Sequence, residues 1–198
     1  MSIGIIGAGS IGQAFAAQVV KAGYEVIVSN SRGPESLADL VKTLGPSARA
    51  GTRSDAAQAD IVFISVRWEQ LRAALADLPE WNGRILIDAT NPVIQPGFRI
   101  ADLEGKTSSE TVAALAPGAR VVKVANTLPA ALLASDPKQG AGRRVLFMSG
   151  DDAAAKSDVS AILEKVGFAI IDLGTLASGA RLQQFPGGPL PTLNLIRL

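Results

Sequence analysis

The sequence predicts an α/β fold, a doubly wound and mostly parallel sheet, from three observations. Short apolar runs alternate with amphipathic stretches along almost the whole chain, the pattern of strands joined by crossover helices. Some runs, such as residues 60–66, are apolar nearly throughout, as strands covered on both faces are. The first run, Ile3-Gly4-Ile5-Ile6, leads straight into Gly7, Gly9 and Gly12, which stand at the G-x-G-x-x-G spacing of a dinucleotide-binding turn.

That turn is the first element to justify. The first glycine permits a tight turn, the second lets the backbone approach a pyrophosphate, and the third lets the helix pack closely on the strand. A helix starting near Ser10 and Ile11 would point free N–H groups and the positive end of its dipole at the phosphates. Its apolar stripe is Ile11, Phe15, Val19 and Ala22, and Gly23 stops it. A second strand over residues 24–29 follows at once and completes the βαβ context that the glycine motif requires.

Gly33-Pro34 opens a second helix with Leu37, Leu40, Val41 and Leu44 inward, and Gly45 closes it. Residues 48–50 read as a short strand, followed by one helical turn capped by Ser54 or Asp55. After the strand at 60–66 comes a helix with Trp68, Leu71, Leu75 and Leu78 inward, then a strand over 84–88 ending in Ala89-Thr90-Asn91-Pro92. Residues 93–106, rich in Pro and Gly, read as the longest irregular stretch, either functional or a surface connection. Thr107 and Glu110 fit a capping box for a helix ending at Pro117. A strand over 120–125 leads into Asn126-Thr127-Leu128-Pro129, residues 136–143 read as a flexible loop, residues 145–149 as a strand, then a helix with Val159, Ile162, Leu163 and Val166 inward is followed by Gly167 and a strand over 168–172. The tail after Asp172 is too short for a separate helical substrate domain. Residues 190–198 are apolar enough for a homodimer contact or a strap over the core, and the strap is the preferred reading.

A chain of 198 residues accommodates these elements as a single Rossmann-type domain, 1–198. With 47% hydrophobic residues, a net charge of +1 and scattered basic residues, nothing points to nucleic acid. No run approaches the ~20 apolar residues of a membrane span, and the apolar start is needed as the first strand, so no signal peptide is read and a cytoplasmic location is expected. The chain has no Cys and no His, which excludes disulfides, thiolate nucleophiles, His-ligated metal and imidazole proton relays. Tyr24, the only Tyr, begins a strand, whereas ligands of open α/β sheets bind at the carboxyl ends. A carbonyl reductase that uses His or Tyr as its acid is therefore disfavoured.

The end of the second strand separates the two nicotinamide dinucleotides. An NAD site places an acid there to hold the ribose 2′-OH. Here the segment is Ser29-Asn30-Ser31-Arg32, where Arg32 can pair with a 2′-phosphate and Asn30 and Ser31 can donate to it. NADP is predicted. The nicotinamide and its acceptor would meet the other strand-end loops, Ser65-Val66-Arg67, Thr90-Asn91-Pro92 and Asn126-Thr127-Leu128-Pro129. None carries a convincing general acid, so no catalytic residue is assigned, and Lys123 reads as a structural or snorkelling lysine. An acceptor that delocalises the charge it receives, such as a flavin-like ring, needs no such acid.

The residues resemble a known family, the NADP-dependent oxidoreductases of the coenzyme F420 (deazaflavin) type, and more distantly the cytosolic reductase domain of the six-transmembrane metalloreductases. The resemblance runs through residues 7–12, 29–32, Asp88 with Asn91-Pro92, Ser108-Ser109-Glu110, residues 121–129, Gly150-Asp151-Asp152, and Asp172-Leu173-Gly174 to Ser178 and Arg181. It implies that residues 29–32 hold the 2′-phosphate and that residues 126–130 lie by the nicotinamide and the deazaflavin. Two departures stand out: the family commonly has His where this chain has Asn126, and the serine-arginine step carries an extra residue. The expected site is Gly7, Gly9, Ser10, Ile11 and Gly12 for the pyrophosphate, Asn30, Ser31 and Arg32 for the 2′-phosphate, and Ser65, Val66, Asn91, Pro92, Asn126, Thr127 and Pro129 for the nicotinamide and acceptor. The partner expected is a small redox acceptor, deazaflavin (coenzyme F420) or flavin. A non-catalytic NADPH-binding redox sensor and a small imine or carbonyl reductase using Lys123 or an Asp are the alternatives.

Overall fold

The computed structural model describes residues 1–198. In chain order the elements are β1 Ser2–Ile6, α1 Ser10–Lys21, β2 Glu25–Ser29, a 3-10 turn Pro34–Leu37 running into α2 Ala38–Leu44, β3 Ala48–Ala50, α3 Arg53–Ala57, β4 Ile61–Ile64, a 3-10 turn Trp68–Gln70 running into α4 Leu71–Leu75, and β5 Ile85–Asp88. There follow β6 Val93–Ile94, β7 Arg99–Ile100, α5 Ser108–Leu115, β8 Arg120–Val124, α6 Ala130–Ala134, β9 Lys138–Gln139, β10 Gly142–Gly150, α7 Ala153–Val166, β11 Ala169–Asp172, α8 Leu176–Gln183 and β12 Ile196–Arg197. The main sheet runs β11-β10-β8-β5-β4-β1-β2-β3, with β9 and β12 paired to β10. It is a Rossmann-like α/β fold, and the strand order reverses between β1 and β4, where the glycine turn sits.

The strands β3-β2-β1-β4-β5-β8 are parallel and apolar on both faces, because helices cover both. On one face Phe15 and Val19 of α1, Leu133 of α6 and Val159, Ile162 and Leu163 of α7 pack on Ile3, Ile5, Phe63 and Val122, with the Phe15 and Phe63 rings stacked at 3.9 Å. On the other face Ala56, Leu71, Val112 and Leu176 of α3, α4, α5 and α8 pack on Ile6, Val62, Ile64 and Leu86. At the amino ends, the Ser2 backbone N–H donates to Asp60 at 2.7 Å and holds that carboxyl below its ordinary range.

Several expectations are corrected. The cap of α3 is Thr52, whose hydroxyl accepts from the Asp55 N–H while Asp55 accepts from the Thr52 N–H. Residues 93–106 contain the β6–β7 hairpin, and residues 136–143 are the β9–β10 hairpin rather than a loop. α6 was not anticipated. The largest departure is β10, which is antiparallel to β8 and parallel to β11. Gly150-Asp151-Asp152 and Asp172-Leu173-Gly174 therefore lie at the end of the sheet away from the glycine turn. From there α8, capped by Thr175, runs back towards the carboxyl ends of β5 and β8. Of residues 190–198, Leu190 packs on Val145, Phe147 and Ala169, and β12 pairs with the start of β10. That is a strap, although Leu193, Leu195, Ile196 and Leu198 stay exposed.

Candidate functional site

The glycine turn has the geometry its spacing demands. Gly7 has φ 106°, a conformation few L-residues adopt, and a Cβ on Gly12 would stand 2.0 Å from the Gly7 carbonyl oxygen. Gly9 is different: a Cβ there would meet nothing within 4 Å. The open space at Gly9, together with an α1 N-terminus that no side chain caps, leaves the N–H groups of Ser10, Ile11 and Gly12 free for an anionic group.

Beside the turn lies a cleft of about 760 Å³ lined by Gly7, Ala8, Gly9, Asn30, Ser31, Arg32, Ser65 and Val66. All of these except Ala8 are among the expected site residues. Ile6, Arg53, Arg67, Gln70, Ala73 and Ala74 complete the lining; of these only Arg67 was anticipated, as part of the strand-end loop with Ser65 and Val66. Arg53 follows the carboxyl end of β3, and its guanidinium donates to the carbonyl oxygen of Ala73. The rule that ligands sit at strand carboxyl ends could have found it. The cleft holds three arginines and no carboxylate. Asn30 builds the loop: its Oδ1 accepts from the Arg32 N–H at 2.8 Å and its Nδ2 donates to Ser36 at 2.9 Å. Ser31 and Arg32 are left exposed.

Asn91, Pro92, Asn126, Thr127 and Pro129 do not line that cleft. They follow β5 and β8, the second and third strands from β1, or about 10 and 14 Å along the sheet at the usual strand spacing. Here the side chains are tied to each other. Asn126 Nδ2 donates to Asn91 Oδ1 at 2.9 Å and to the Gln183 carbonyl at 2.7 Å, and Asn91 Nδ2 donates to the Asn126 carbonyl at 3.1 Å. Both hydrogens of the Asn126 amide are thus engaged. Beneath them Lys123 and Asp88, each fully buried, pair at 3.2 Å. Lys123 also donates to the Thr90 carbonyl at 3.0 Å, and Asp88 accepts from the Thr90 N–H and hydroxyl and from Ser109. Lys123 does not snorkel, since its ammonium never reaches solvent. The structural reading of it holds.

Comparison with known proteins follows the same lines. Residues 2–92 match the model of the family "NADP oxidoreductase coenzyme F420-dependent". The chain is 44% identical to protein SMa0349 of Sinorhizobium meliloti, whose structure it matches with a TM-score of 0.94 over all of this chain and 97% of that one. A protein of Arthrobacter sp. FB24 described as an F420-dependent NADP-reductase is 28% identical, with a TM-score of 0.76 over 89% of this chain and 86% of that one. Metalloreductase STEAP3 of Rattus norvegicus is 29% identical over 191 residues, which is 96% of this chain and 37% of that protein. The chain therefore spans little more than a third of the metalloreductases it matches. No helix is long and apolar enough to cross a membrane.

Proposed function

We propose that the 198 residues act as one NADPH-dependent oxidoreductase unit that exchanges a hydride with a deazaflavin (coenzyme F420) or flavin acceptor. The observation that carries this reading is the cleft beside the glycine turn, with three arginines, two serines and no acid where a ribose 2′-OH would need one. Gly7, Gly9, Ser10, Ile11 and Gly12 would hold the pyrophosphate through backbone N–H groups. Ser31 and Arg32 would hold the 2′-phosphate, with Asn30 shaping their loop and Arg53 and Arg67 adding positive charge. Ser65 and Val66 would lie along the dinucleotide. Asn91, Pro92, Asn126, Thr127 and Pro129 would form the wall where nicotinamide and acceptor meet. When bound, NADPH supplies a hydride from nicotinamide C4.

The residues of that wall orient and shield but offer no proton. The Asn126 amide is spoken for, and Lys123 and Asp88 are buried against one another. An acceptor ring that spreads the incoming charge fits such a wall better than a simple ketone. The burial of Lys123 also argues against an imine or carbonyl reductase that uses it as the acid. The lack of an acid equally suits a non-catalytic NADPH-binding sensor, the second reading. Mixing the protein with NADPH and oxidised coenzyme F420, FMN or FAD separates the two. Visible absorbance of an acceptor should bleach with NADPH and not with NADH. Tight NADPH binding with no acceptor bleached would turn the assignment to the sensor.

A further inference from the structure

We propose that Gln183, at the last turn of α8, is a positioning residue for the nicotinamide end of the site, an inference that rests on the NADPH reading above. Gln183 is fully buried, and its amide is used on both sides. Oε1 accepts from the Ser149 hydroxyl at 2.7 Å, and Nε2 donates to the Phe147 carbonyl at 2.9 Å and lies 3.3 Å from Asn126 Oδ1. Its own carbonyl accepts from Asn126 Nδ2. Asn126 in turn holds Asn91. One buried chain of hydrogen bonds, Ser149-Gln183-Asn126-Asn91, therefore ties β10 and α8 to the loops after β8 and β5.

Those loops need such a tie. Ala125, buried and immediately before Asn126, has φ 65°, a conformation that persists only where the surroundings over-determine it. Buried polar networks fix a single arrangement when every member is satisfied and release it when one is lost. The adenosine end of the site is built from the loops after β1, β2, β3 and β4 and has no bond to this chain. Removing Gln183's amide takes away the bonds to Asn126 Oδ1, Ser149 and Phe147 while its main-chain carbonyl still accepts from Asn126 Nδ2, so the nicotinamide wall is loosened and the 2′-phosphate pocket stays as it was. Asn126, in this view, is the strut that receives Gln183 and not a donor to the acceptor.

The test compares two ligands on the full chain: NADPH, followed by nicotinamide fluorescence, and 2′,5′-ADP, which carries only the adenosine and phosphate end, followed by calorimetry. Gln183→Met keeps the length and removes the amide. It should weaken NADPH about tenfold, return the emission of bound NADPH towards that of free NADPH, and leave 2′,5′-ADP unchanged. Ser149→Ala, which removes only the outer bond, should move NADPH in the same direction by about two- to threefold with 2′,5′-ADP again unchanged. It decides the matter should Gln183→Met fail to fold. Equal weakening of both ligands, or no change in either, overturns the positioning role. Wild-type protein that binds neither ligand overturns the NADPH reading itself, and this inference with it.

Discussion

In the proposed function, cofactor choice turns on Arg32. It is exposed at the mouth of the cleft, its backbone N–H is fixed by Asn30, and no carboxylate lines the cleft to compete for its guanidinium. Hydrogen bonds to charged groups contribute about 1.5–3 kcal/mol each. Arg32→Ala should accordingly weaken NADPH by roughly ten- to a hundredfold and leave NADH nearly unchanged in parallel fluorescence titrations. Equal losses would remove the 2′-phosphate from this corner. The glycine turn and the place of Arg32 at the cleft were legible in the sequence because both are local, a spacing of five residues and the end of one strand. The bonding of Asn126 was not. Its amide is claimed by Gln183, 57 positions later, and nothing in residues 120–130 announces that partner.

Among elements, β5 and β8 are joined side by side by Lys123 and Asp88, which are opposite one another in the parallel register. Breaking a fully buried ion pair from one side strands the other charge, at a cost of about 3–5 kcal/mol. Lys123→Met should lower stability by an amount in that range in denaturant unfolding, and Asp88→Asn added to it should recover part of the loss. A loss no greater than that of an exposed substitution would contradict the buried pair. The long elements were readable from periodicity: Phe15 and Val19 in α1, or Val159, Ile162 and Leu163 in α7, mark faces that the structure buries. The capping box of Thr107 and Glu110 stands as read. The hairpins of β6 with β7 and β9 with β10 escaped notice because each contributes a strand of two residues, too short to show any alternation.

At the scale of the whole molecule, the winding brings both ends of the expected site to the carboxyl ends of the parallel strands, with the glycine turn, Arg32 and Arg53 on one side of the switch point and Arg67 and the Asn91 and Asn126 loops on the other. Alternation of strands and helices announced this class of fold but could not give the direction of β10, since a hairpin and a crossover of similar length read alike. That reversal sends α8 back to the site with Gln183 at its end. In the proposed reading, this makes α8 a support for the nicotinamide wall. The claim that gathers these features is direct hydride transfer from NADPH to the acceptor ring. The measurement that tests it most directly uses NADPH carrying deuterium at both C4 positions with oxidised coenzyme F420, and locates the label in the reduced product. Transfer predicts deuterium on carbon 5 of the deazaflavin; a reduced product without the label would contradict it, as would its absence under conditions where NADPH is bound.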